Sequence, residues 1–172
     1  MTPAAAYLAE LCRLYVAVAL LAAAIGKAGD LASFRLTIAA LLPVPMRRTG
    51  PAALAIVATE GLVALPLLAG GPWSRPAMAA AMTLLIAFTV VLFVALVQRK
   101  AISCNCFGGG GHMISAFDLL RNAALIAAAG FNLGYGPAGN VLDLAAGLLL
   151  LGIAAVLFLV STSLDGIARL SR

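Results

Sequence analysis

Two thiols separated by one residue, Cys104-Asn105-Cys106, followed by Phe107 and the run Gly108 to Gly111, are the part of this sequence best suited to chemistry. In extended or turn backbone that spacing brings the two alpha carbons within or near the range a disulfide tolerates. The ring such a bond closes is small and strained, so it reduces easily and suits exchange better than structural stapling. Arg99 and Lys100 precede the pair and Arg121 follows it. Cations nearby favour the thiolate, which is the nucleophile. His112 is the only histidine; beside two thiols it could serve as a base or a third metal ligand, although a lone loop histidine is ordinarily just solvated. The plainer alternative is that two small residues fill a tight turn. Structural cysteines, however, are usually buried in apolar surroundings, unlike a pair flanking Asn105 beside a glycine run.

A second candidate is Glu60, which falls near the middle of an apolar stretch. A carboxylate at that depth costs about 2.5–3.5 kcal/mol on insertion scales, so it must be protonated, paired or facing a polar cavity. Burial would let it pass protons near neutral pH, as reduction of a disulfide or quinone requires; the alternative is a structural pair with Lys27, Arg35 or Arg121. Lys27 and Arg35 flank a short apolar segment and are either interface anchors or ligands for an anionic or quinone headgroup. With His112 and Arg121 they complete the candidates for substrate or headgroup binding. Arg47 and Arg48 read as anchors. Cys12 lies about 14 residues, roughly 21 Å, from the far end of its segment, which leaves it a packing role.

The elements that position these residues must be membrane helices. Of 172 residues 64% are hydrophobic and 10% charged, with mean hydropathy +1.12. Soluble domains carry roughly a quarter charged residues. Net charge is +5, but the basic residues sit beside apolar segments and form no stripe interleaved with aromatics, which argues against nucleic acid as a partner. Three cysteines are too few for a disulfide-stapled secreted scaffold. Leu14 to Gly26 resembles a signal-peptide core, yet Glu10 lies in the would-be basic region and Lys27 at the would-be cleavage site, so the helix is expected to be retained.

The sequence predicts one all-α integral membrane domain over 1–172, a polytopic bundle of four to five spans. Stretches near the spanning length of about 20 residues run over 7–26, 51–69, 77–97, 117–133 and 141–161. Pro51 suits the opening turn of the second span, and Trp73, in the Gly70-to-Pro76 turn, suits an interface. Phe34 to Leu42 is apolar but too short to cross and is stopped by Pro43 and Pro45, which predicts a half-helix in the first connection. Ser115 and Asp118 read as a capping box for the fourth span. With five spans, Lys27, Arg35, Arg47, Arg48, Arg99, Lys100, Arg169 and Arg172 share one side, against Arg13 and Arg75 on the other. The positive-inside rule then turns the cysteine face toward the cytoplasm. Four spans would keep the cysteine loop on the Lys27 side and move one terminus.

Gly26-Lys27, Phe34, Leu41-Leu42-Pro43, Glu60, Cys104-x-Cys106-Phe107-Gly108 and Arg121-Asn122, in that order, resemble the MauE family, methylamine-utilisation membrane proteins related to the DoxX group. The resemblance covers roughly residues 7–133. It implies a bundle in the bacterial inner membrane, associated with thioredoxin-like proteins and acting in redox maturation of disulfide-containing proteins, with Cys104 and Cys106 as the redox pair. The ordering is also similar to the vitamin K epoxide reductase bundle, where a half-helix covers a cysteine pair near the fourth helix. This sequence differs in having Cys-x-Cys in place of Cys-x-x-Cys and no cysteine pair in the first connection. The resemblance implies extracytoplasmic thiols, in conflict with the charge bias.

The expected function is thiol–disulfide exchange between a thioredoxin-like partner and a quinone or a second thiol protein. Cys104 and Cys106 carry the exchange, Glu60 handles protons, and no covalent cofactor is expected. Two other classes remain open. One is a soft-metal transporter or capture protein using Cys104, Cys106 and His112; the other is a non-catalytic membrane subunit or chaperone. Small residues in the last span, among them Ala145, Ala146, Gly147 and Gly152, permit close packing within the protein or between copies.

Overall fold

The computed structural model describes residues 3–41, 45–98, 103–104, 112–113, 116–136 and 143–170. It is an all-α bundle with one very short ladder. Among the described residues it has six helices, α1 (Pro3–Gly29), α2 (Leu31–Leu41), α3 (Met46–Ala69), α4 (Ser74–Val97), α5 (Ala116–Tyr135) and α6 (Leu144–Leu170), with strands β1 (Ser103–Cys104) and β2 (His112–Met113) between α4 and α5.

Alanine decides which helix sits at the centre. Ala9, Ala17, Ala19, Ala23 and Ala24 of α1 are all buried, and side chains this small let neighbouring backbones approach closely without a hydrophobic force from water. In its most apolar window α1 is 56% buried, whereas α6 is 11% buried. Accordingly α1 packs against α3, α5 and α6, and α4 closes the circle between α3 and α5. The main core joins Val16 and Leu20 of α1 to Leu67 of α3, Met78 and Leu85 of α4, and Leu125 of α5. Leu148, Leu149 and Leu159 of α6 stay exposed, as a lipid-facing helix requires.

Helices α1, α3, α4 and α6 are long and apolar enough to cross a membrane. The 20 residues of α5 have the length but carry Asp118, Arg121, Asn122 and Asn132, the last three buried. It runs the length of the bundle all the same. Near its end Asn132 Nδ2 donates to the Ala9 carbonyl at 2.8 Å, and Arg75 Nη2 donates to the Leu133 carbonyl at 3.2 Å. Polar residues lower its hydropathy because they face other helices instead of lipid.

The half-helix expected around Phe34–Leu42 is α2, and its start has a specific cause. Asp30 Oδ1 accepts from the Ser33 backbone N–H at 3.0 Å, an N-cap that ends α1 and reopens the chain in a new direction. Phe34 and Ile38 pack with Ala53 of α3. Residues 42–44, with Pro43, lie outside the described residues.

Helix α3 differs from the expected opening at Pro51. It begins at Met46, with Pro45 at the N-cap and Pro51 and Pro66 inside. Each proline removes one backbone donor, a loss that neighbouring helices and side chains can re-satisfy in a membrane protein. At the far end Gly70 and Gly71 turn the chain with φ of 73° and 80°, values that glycine adopts without the penalty of a side chain. Trp73 is exposed there, as an interface residue should be. Helix α6 begins after Asp143, whose Oδ1 accepts from the Ala146 N–H at 2.9 Å. The expected Ser115 cap of α5 lies outside the described residues.

In the ladder, Ser103 pairs with Met113 and Cys104 with His112. Strand β1 lies against α2, which brings the first and third connections together at one end of the bundle. Single cysteines placed at Ser33 and Ser103, with the native cysteines replaced by serine, should therefore be modified by an impermeant thiol reagent from the same side of a sealed membrane. Modification from opposite sides would contradict the fold.

Candidate functional site

Lys27 occupies the last turn of α1, where the C-terminal carbonyls favour a cation. Its side chain does not reach outward as an interface anchor would. It is 4% exposed, and Nζ donates to Oε1 of Glu60 on α3 in a buried ion pair. The same Nζ lies 5.5 Å from the Phe34 ring centroid of α2 and 5.0 Å from that of Phe88 on α4. Both are within the range of a cation–π attraction, which strengthens where water is absent. Four elements thus meet on one ammonium group.

Glu60 is fully buried, and among the described residues its Oε2 has no hydrogen-bond partner. Beside the pair is a cavity of about 110 Å³, bounded also by Thr37 of α2, Leu85 of α4 and Asn122 of α5. Apart from these few polar groups its walls are hydrocarbon. In such surroundings removal of one ion partner costs about 3–5 kcal/mol, while replacing both with apolar groups is often neutral.

The remaining candidates divide. Arg35 is exposed, and its guanidinium lies over the Gly50 backbone, so it is not a partner of Glu60. Arg121 is buried and donates to Asp118 Oδ1 at 3.0 Å, one helical turn back. Cys104 and His112 are directly opposed in the ladder, which sets their alpha carbons about 4.5–5.5 Å apart. Cys106 lies outside the described residues. Among the described residues no three His, Cys, Asp or Glu side chains converge as a metal site, and the alternative ligand set includes Cys106. Helix α2 touches β1 and also walls the cavity.

The opposite end carries polar contacts that sequence reasoning missed. Arg13 pairs with Glu10 at 2.6 Å and donates to the Leu67 carbonyl, near the end of α3. The signal was present, since Glu10 and Arg13 lie one turn apart in an apolar helix. A cleft of about 370 Å³ borders them and Asp143, but these groups already bond to each other or to backbone. Cys12 is a free, half-buried thiol at this end, consistent with packing.

Pairing between Lys27 and Glu60 predicts non-additive stability. Lys27→Met and Glu60→Leu should each destabilise the protein by about 3–5 kcal/mol, and the double variant Lys27→Met/Glu60→Leu should return close to the wild type. Thermal unfolding in detergent measures this. Independent losses that add in the double variant would show the two groups do not depend on each other.

Compared with known proteins, residues 5–135 match the sequence profile of the family described as Methylamine utilisation protein MauE. No curated protein matches the chain, and no solved structure does. The match extends from α1 through the last residue of α5 and includes Lys27, Glu60 and the Cys104-x-Cys106 element. The chain is a membrane protein and belongs to the MauE family.

Proposed function

We propose that the protein is a thiol–disulfide exchange protein of the bacterial inner membrane, serving maturation of disulfide-containing proteins used in methylamine utilisation. The observation that carries this reading is the meeting of the Cys104 strand with α2, the helix that also walls the Lys27–Glu60 cavity. A thiol pair at the rim of a bundle can meet a soluble partner while a buried acid and base lie nearby.

The exchange balances as follows. A thiolate of Cys104 or Cys106 attacks the disulfide of a thioredoxin-like partner, forming a mixed disulfide and releasing one partner thiolate. The second cysteine displaces the other, so the bundle pair is oxidised and the partner gains two electrons and two protons. In reverse, the partner dithiol reduces the pair, and a quinone or a second disulfide takes the electrons onward.

Orientation follows from loop charge. Lys27 and Arg13 are consumed in buried pairs, which leaves, among the described residues, Arg35, Arg47 and Arg48 at the cysteine end against Arg75 at the other, and the sequence adds Arg99 and Lys100 to the cysteine connection. This excess supports a cytoplasmic cysteine face. Accessibility of Cys104 in sealed vesicles tests it.

The opposition of Cys104 to His112 also suits a second reading, capture of a soft metal by two sulfurs and one nitrogen. Non-reducing electrophoresis of single mutants separates the two. Under exchange, Cys104→Ser and Cys106→Ser each abolish activity, one of them accumulates a covalent adduct with a thioredoxin-like protein, and Cys12→Ser is silent. Under metal capture, Cys104→Ser, Cys106→Ser and His112→Ala all weaken binding, and no adduct forms. Absence of both adduct and metal binding would leave a non-catalytic subunit.

A further inference from the structure

We propose that the cavity beside Lys27 and Glu60 binds the ring of a lipid-soluble quinone, with the two charged groups facing its ring oxygens. This rests on the exchange reading only for the source of electrons.

The cavity restricts its occupant in three ways. Its size, about 110 Å³, is of the order of the roughly 150 Å³ apolar cavity that takes up benzene, so it suits one six-membered ring. Its walls are apolar, with the Phe34 and Phe88 ring centroids 5.5 and 5.0 Å from the ammonium. Its polar groups ask for a ligand that both donates and accepts. Glu60 Oε2 is buried without a hydrogen-bond partner among the described residues, a state that costs about 1–3 kcal/mol or more. Lys27 has three donors, of which Glu60 Oε1 takes one.

An acyl chain would fill the space but give Glu60 Oε2 no donor. Water would satisfy the carboxylate but wet the hydrocarbon walls. A quinone carbonyl accepts from Lys27, and the hydroxyl of its reduced form donates to Glu60, on a flat apolar body that matches the walls. Two electrons and two protons convert quinone to hydroquinone; the Cys104/Cys106 dithiol loses the same number as its disulfide forms. The tail has a route as well. Helix α2 packs on α3 and touches α1, whereas α2 and α4 are not closely packed among the described residues. The tail would leave between Ile38 of α2 and Val91 of α4, both at the cavity.

The test uses the full chain in nanodiscs, with a short-tailed benzoquinone as ligand and its azido derivative as photoprobe. Saturable binding is expected, with crosslinks on α2 and α4. Ile38→Trp, which fills the cavity, and Lys27→Met/Glu60→Leu, which removes both polar groups, should each raise Kd at least about tenfold. The two variants act differently, so either suffices if the other fails to fold. Cys104→Ser/Cys106→Ser should bind as the wild type does. No saturable binding, unchanged affinity in the folded variants, or a co-purified acyl lipid that quinone cannot displace would overturn the site. Binding as expected, with a dithiol that the quinone fails to oxidise, would sink the exchange reading and leave the site standing. Covalent adducts without quinone binding would do the reverse.

Discussion

An ammonium and a carboxylate held together in hydrocarbon set the terms for the rest of this fold. Neither Lys27 nor Glu60 can be buried alone, so α1 and α3 have one acceptable register at that level, the one in which the two groups meet. Nearer the other end Arg13 reaches the Leu67 carbonyl of α3. Two polar contacts, widely spaced along the same pair of helices, fix both sliding and rotation. The alanines between them supply no directional preference of their own and let the backbones close. Dispersion and small size bring these helices together, and the polar groups decide how.

The half-helix follows from the same constraint. Phe34 contacts the ammonium, and it can do so only if the chain turns back over the bundle directly after Lys27. The Asp30 cap makes that turn within one residue of the end of α1. A continuous helix would have carried Phe34 away from the bundle. The cation, the cap and the ring thus work as a unit, and the approach of α2 to the cysteine strand is its by-product.

Much of this was legible because lipid imposes simple rules. Apolar length marked the helices, Pro43 and Pro45 marked the limit of α2, and Glu60 stood out because charge is costly at its depth. What was not legible depends on tertiary pairing. Glu60 could be matched on paper with Lys27, Arg35 or Arg121, and only folding shows that Arg35 lies over Gly50 and Arg121 bonds Asp118. Phe88 is one aromatic among many apolar residues of α4 and carries no mark of its role beside Lys27. Pro51 misled because proline favours first turns, while a membrane helix tolerates it deeper. The opposition of Cys104 and His112 rests on a ladder that glycine-rich sequence does not announce.

Helix α6 stands apart from the buried pair. The family match stops at residue 135, where α5 ends, and among the described residues α6 packs closely on α1 alone. None of the groups around Lys27 belongs to it. Its exposed leucines, Leu148, Leu149 and Leu159, can therefore be exchanged for other apolar side chains without touching the groups around Lys27, while Phe158 ties the helix to the main core.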